Sequence, residues 1–71
     1  MISDKTLYDF CVLYRQRFGQ KQDATRFRNE LELRFYHVYH GDLYERCLQQ
    51  NLFRQSGGNI IFNVDGRGKG L

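Results

Sequence analysis

The stretch CLQQNLFRQSGGNIIFNV, residues 47–64, decides the fold of this 71-residue chain. Its first residues read as the end of a helix. The paired glycines Gly57 and Gly58 follow, and such a pair suits a two-residue turn that needs positive φ. Apolar and β-branched residues stand on both sides of the turn. The pattern therefore predicts a β-hairpin over residues 52–64.

The two-residue turn also predicts how the strands pair. It sets Phe53 opposite Phe62 and Gln55 opposite Ile60, with Val64 on the same face. Two strands alone are marginally stable in water. We therefore expect the apolar face of the hairpin to rest on helices that come earlier in the chain.

The first of these helices is predicted over residues 4–18. Ser3 is a favourable N-cap, and Gly19 suits the left-handed conformation that often follows a helix end. Between them, apolar residues recur at spacings of three and four, which indicates one buried helix face. These residues are Leu7, Phe10, Cys11, Tyr14 and Phe18.

A polar loop, GQKQD, separates the first helix from a second one predicted over residues 24–40, with Asp23 as its cap. Asp42 then begins a capping box for a third helix over residues 43–50, and Asn51 suits a left-handed stop. The predicted fold class is α+β: three helices closed by a C-terminal two-stranded β-hairpin.

We expect one compact domain over residues 1–64, followed by a flexible, glycine-rich basic tail over residues 65–71. Apolar residues make up 41% of the chain, too many for a disordered protein with a net charge of only +3. The first residues do not form a signal peptide, and no apolar run is long enough for a membrane span. With only two cysteines, an intracellular, cytoplasmic and reduced protein without a membrane partner is expected.

The segment from Asp42 to Val64 resembles the last helix and wing of the winged helix-turn-helix DNA-binding domains. The matching features are an amphipathic helix, NLF at its exit, SGGN at the hairpin tip and IIF on the return strand. The resemblance implies duplex DNA as the partner and a regulatory role in transcription, replication or recombination. The family's small first strand is not visible in the sequence, and its second helix is usually shorter than its third.

The same resemblance implies which residues contact nucleic acid. The helix over residues 43–50 would enter the major groove and read base edges, and the hairpin over residues 52–64 would act as a wing on the backbone. Arg67 and Lys69 would form a flexible basic arm. The predicted nucleic-acid-binding residues on the helix and hairpin are Arg46, Gln49, Gln50, Arg54 and Asn59.

Two other interpretations stay open. The helix face and the turn could be ordinary solvated surface, with the hairpin only a lid on the core. Alternatively, the protein is an adaptor or inhibitor that docks through an aromatic face of helix 24–40, or a homodimer. Leu33, Tyr36 and His40 point away from the main apolar stripe of that helix and form the predicted interface.

No signature predicts an enzyme, a cofactor or a metal site. His37 and His40 lie near Asp42 and Cys47, but the paired short spacings of a structural zinc site are missing. Both cysteines fall on apolar helix faces, which favours packing rather than nucleophilic chemistry. A second basic cluster predicts non-specific phosphate contact or helix stabilisation, and it comprises Arg15, Arg17, Lys21, Arg26 and Arg28.

Overall fold

The computed structural model describes residues 2–36 and 41–64, which form a mixed α+β structure. The predicted fold class is confirmed at that level. Residues 65–71, predicted as a tail, lie outside the described residues. In chain order the elements are α1 (Asp4–Phe18), β1 (Lys21–Asp23), α2 (Ala24–Phe35), α3 (Leu43–Gln49), β2 (Phe53–Ser56) and β3 (Asn59–Phe62).

The helices begin where short-range side-chain chemistry predicts, and α1 also ends where it predicts. Ser3, Asp23 and Asp42 each accept a hydrogen bond from the backbone N–H three residues later, at 2.9 to 3.1 Å. Gly19 ends α1 with a φ of 109°, and Asn51 follows α3 with a φ of 59°. These capping predictions are confirmed. The last predicted turn of the second helix, residues 37–40, lies outside the described residues.

The hairpin register is also confirmed. Phe53 pairs with Phe62 and Gln55 with Ile60, and Gly57 takes the positive φ of 63° that the turn needs. This register places both phenylalanines and Ile60 in the core, where their relative exposure is 2% or less. The hairpin is therefore fastened to the helices by its apolar face, as alternation predicts.

The predicted two-stranded hairpin is present, but it belongs to a sheet with a third strand that was not predicted. Residues 21–23, predicted as loop, form β1, and the sheet has three antiparallel strands in the order β1–β3–β2. Lys21 pairs with Ile61 and Asp23 with Asn59, so β3 is the central strand. No local pattern predicts β1, because the strand is short and polar and its partner strand comes much later in the chain.

One aromatic ring joins all parts of the core. Phe27 of α2 is fully buried. Its ring lies 5.0 to 6.4 Å from five other aromatic rings, centroid to centroid, a range in which such rings attract one another. Those five rings come from α1, α3 and both hairpin strands, and they are Phe10, Tyr14, Tyr44, Phe53 and Phe62.

The two cysteines meet between α1 and α3. Cys11 and Cys47 are both fully buried and carry free thiols. A hydrogen bond with the Cys47 side chain, together with burial, raises the pKa of the Cys11 thiol. The pair therefore behaves as apolar packing that joins the two helices.

Candidate nucleic-acid interface

The third helix is held against the hairpin by Tyr44. This ring lies 5.1 Å from Phe53, centroid to centroid, and its hydroxyl donates a 2.9 Å hydrogen bond to Oε1 of Gln55 on β2. The guanidinium of Arg28 on α2 covers the other side, 4.3 Å from the ring centre. Burial raises the pKa of Tyr44 above its ordinary value, so the hydroxyl stays a donor to more alkaline pH than a solvated tyrosine would. One side chain thus fixes α3 relative to α2 and β2.

Two of the predicted base-reading residues are engaged within the chain. Arg46 donates from Nη2 to Oδ1 of Asp4 at 2.6 Å, and Gln50 donates from Nε2 to the same oxygen at 2.9 Å. Asp4 is exposed in the first turn of α1, whereas Arg46 is half-buried. A carboxylate therefore already occupies the place where a phosphate or a base edge would meet these side chains.

Gln49 and Arg54 are the predicted contact residues that are most open to solvent. Both are exposed, and neither side chain makes a hydrogen bond or ion pair within residues 2–36 and 41–64. Arg54 stands opposite Ile61 on β3, on the outer side of the hairpin. These two residues can accept a ligand without breaking any contact of the fold.

Asn59 is half-buried, and it closes the hairpin turn at the end of the sheet. It pairs with Ser56 on β2 and with Asp23 on β1. Its neighbour Gly58 accepts a 3.0 Å hydrogen bond from the backbone N–H of Ala24, which anchors the turn to the start of α2. Arg67 and Lys69, the predicted arm, lie outside the described residues.

The predicted protein interface shows one exposed apolar patch. Leu33 is 77% exposed and Tyr36 is 66% exposed, and together with Asn29 and Glu32 they line a shallow cleft of about 370 Å³ on α2. His40, the third predicted residue of this interface, lies outside the described residues. The patch lies on the side of α2 opposite Phe27 and Leu31, as the helical spacing predicts.

Sequence reasoning missed Asp4 and divided the arginines wrongly. The predicted second basic cluster does not form one surface. The guanidiniums of Arg17 and Arg26 lie over the ring of Phe18 on α1, whereas Arg28 lies over Tyr44 on α3. Spacing along α2 contained this signal, because residues 26 and 28 are about 200° apart around a helix axis. No local signal pointed to Asp4.

No protein-family model, curated protein or solved structure matches this chain. Within the described residues, no three His, Cys, Asp or Glu side chains come together as metal ligands would. In the same part of the chain no helix is long and apolar enough to cross a membrane. The remaining features are shape, charge and exposure.

Proposed function

We propose that the protein binds nucleic acid, specifically duplex DNA, in a regulatory role. In this proposal α3 meets the major groove and the β2–β3 hairpin acts as a wing. One observation supports it most: Tyr44 joins α3 to β2, so Gln49 and Arg54 lie exposed on two adjoining elements. Neither side chain makes a hydrogen bond or ion pair within the described residues. One side chain is suited to base edges and the other to phosphate.

The strand β1 supports the winged-helix interpretation. It adds a small strand ahead of the second helix, the feature of that family which the sequence did not reveal. The helix lengths depart from the family's pattern, since α2 has twelve residues and α3 has seven. A short α3 limits base contacts to about two helical turns.

In this proposal Arg46 and Gln50 exchange the Asp4 carboxylate for a phosphate of the DNA. A phosphate oxygen accepts the same hydrogen bonds that the Asp4 carboxylate accepts in the free protein. When DNA approaches, Arg46 moves from Asp4 to the ligand and Gln50 follows. The net gain at these two residues is smaller than for an unpaired arginine, because one charge-assisted bond is lost as another forms.

Fluorescence anisotropy with mixed-sequence duplexes at several salt concentrations tests the proposal. We expect affinity to fall with salt in proportion to the phosphates contacted. Arg54→Ala should weaken all sequences alike and flatten the salt slope by about one unit. Arg46→Ala should cost about 1–3 kcal/mol and relax sequence preference if this arginine pairs with guanine. The matched control is Arg34→Ala, at an exposed arginine on α2. It should change neither the affinity for duplex DNA nor its salt dependence.

Absence of binding at low salt and tens of micromolar protein would remove the DNA proposal. The hairpin would then be a lid that completes the core. Equal losses for Arg54→Ala and Arg34→Ala would also contradict it, because they would indicate attraction to net charge rather than a defined face.

A second candidate function is protein binding or homodimerisation through Leu33 and Tyr36, supported by their exposure on one side of α2. Sedimentation at micromolar concentration tests the dimer, and Leu33→Asp should shift a dimer to monomer. A clean monomer for the parent protein would leave only an unrelated partner for this patch.

We also propose an intracellular location, which the two free, buried thiols support.

A further inference from the structure

The helices α1 and α2 form a groove that none of the functions above uses. Its floor is apolar and comes from α1, with Phe10, Leu13, Tyr14 and Phe18. Its volume is about 410 Å³, within the range of pockets that hold ligands. Leu13 is 63% exposed and Phe18 is 43% exposed, so two large apolar side chains face water in this groove.

The rim of the groove is positively charged. Arg17 of α1 and Arg34 of α2 line it, and Glu30 is the acidic residue among the lining side chains. The guanidinium of Arg26 adds a further positive charge 5.1 Å from the centre of the Phe18 ring. None of these three arginines makes an ion pair within the described ranges. The rim therefore favours an anionic ligand.

A second observation in the groove is the buried hydroxyl of Tyr14. Tyr14 is 5% exposed and lines the groove, yet its hydroxyl has no hydrogen-bond partner among the described residues. Buried hydroxyls are normally paired, and an unpaired one costs free energy. Burial raises the pKa of Tyr14 above its ordinary value, so this hydroxyl is neutral at pH 7 as any tyrosine is, and it stays neutral to more alkaline pH. A ligand that reaches it would satisfy it.

We propose that the α1–α2 groove is a docking site for an acidic amphipathic helix of a protein partner. Leucine-like side chains of the partner helix would cover Leu13 and Phe18, its carboxylates would pair with Arg17 and Arg34, and one polar group would meet the Tyr14 hydroxyl. A helix suits this place because a groove between two helices accepts the ridges of a third.

Other occupants fit the groove less well. A small molecule buries most of its surface in its pocket, and the exposed floor at Leu13 and Phe18 does not offer that enclosure. A second copy that docks through the same groove would bring two arginine rims together, which is unfavourable. Nucleic acid could use the arginines but would leave the aliphatic Leu13 without a suitable contact.

Selection from a displayed library of amphipathic helices tests the proposal with the full chain as bait. The library carries leucine or phenylalanine at positions i, i+3, i+4 and i+7, with Glu, Gln or Lys at the flanking positions. We expect enrichment of Glu-rich members over Lys-rich ones. Absence of any enriched acidic member, or enrichment of basic members, overturns the proposal.

Substitutions then locate the bound peptide. Leu13→Ser should weaken the enriched peptide about tenfold or more, whereas Leu33→Ser, at the exposed leucine of the other patch on α2, should leave its affinity unchanged. Arg17→Gln should slow association and reduce its salt dependence. Circular dichroism confirms that each variant is folded. Loss with Leu33→Ser but not with Leu13→Ser would move the peptide to the other patch and overturn the proposal.

Two further measurements use a Tyr14 variant and competition with duplex DNA. Tyr14→Phe should weaken the peptide severalfold without loss of folding, because only the hydroxyl is removed. Since α3 and the hairpin are not part of the groove, duplex DNA should leave peptide affinity unchanged. Competition between peptide and duplex would indicate one shared basic surface and would contradict a separate docking site.

Discussion

The α3–hairpin face and the α1–α2 groove both present arginines, but their surroundings differ. On the α3–hairpin face the neighbours are polar, and Arg46 is bound to the carboxylate of Asp4. In the groove the neighbours are apolar, and Arg17 lies over the ring of Phe18. Positive charge alone therefore does not select the ligand. We expect the side chains around the arginines to select it. Polar neighbours suit nucleic acid, and apolar neighbours suit an amphipathic helix.

Both surfaces rest on one residue. Phe27 contacts Phe10 and Tyr14 beneath the groove, and it contacts Tyr44 and Phe53 beneath the α3–hairpin face. The two surfaces are thus chemically different but mechanically joined. Substitutions at or near the Phe27 ring can therefore distinguish effects on both surfaces from effects on only one of them.

The largest expected effect is that of Phe27→Ala. It should lower the free energy of unfolding by about 3–5 kcal/mol, because it leaves a cavity among five rings. In a domain of this size that loss removes most of the stability. Urea denaturation followed by circular dichroism measures it. Leu33→Ala is the control and should change stability by less than about 0.5 kcal/mol.

The milder Phe27→Leu keeps the variant folded and should weaken ligand binding at both surfaces together. If one surface binds as well as before while the other fails, then Phe27 is not their common support. The two surfaces would then be independent of each other.

Next in size is Cys11→Ser, beneath the α3–hairpin face. A hydroxyl placed in this apolar contact between α1 and α3 should lower the free energy of unfolding by about 1–3 kcal/mol. Gln16→Ser, on the exposed side of α1, is the matched control and should cost only a few tenths of a kcal/mol. Rapid reaction of native Cys11 with a thiol reagent at neutral pH would contradict its buried state.

A stability change of opposite sign is expected for Tyr14→Phe, beneath the groove. Because this hydroxyl is buried and unpaired, its removal should raise the free energy of unfolding of the free protein by about 1 kcal/mol. Tyr44→Phe is the control, since it removes a hydroxyl that does have a partner, Gln55, and it should destabilise instead. Equal effects for the two variants would mean that both hydroxyls have partners in solution, bound water included.

Local chemistry explains why the sequence predicted the helix caps and the hairpin register. Ser3, Asp23 and Asp42 act on residues three positions away, and the hairpin turn pairs strands that adjoin it. Each signal lies within a few residues of its effect.

The missed features all join distant parts of the chain. The strand β1 is polar, so only pairing with β3 reveals it, and Arg46 lies 42 positions from Asp4. The division of the arginines between two surfaces depends on how α2 packs against both α1 and α3. Such contacts follow from tertiary packing, which overrides local pattern, so the candidate site was less predictable than the fold.

The smallest expected effect tests whether the in-chain carboxylate restrains the α3–hairpin face. Asp4→Asn keeps the shape of the side chain and removes its charge, so Arg46 and Gln50 lose a charged acceptor. An exposed ion pair contributes about 0.2–1 kcal/mol, so duplex DNA affinity should rise by at most about fivefold. Binding in the α1–α2 groove should not change. Asp9→Asn, which breaks the other ion pair on α1, with Lys5, is the matched control. Anisotropy at two salt concentrations distinguishes the outcomes: a gain for Asp4→Asn that exceeds the gain for Asp9→Asn assigns the effect to Arg46, whereas equal gains would reflect net charge alone.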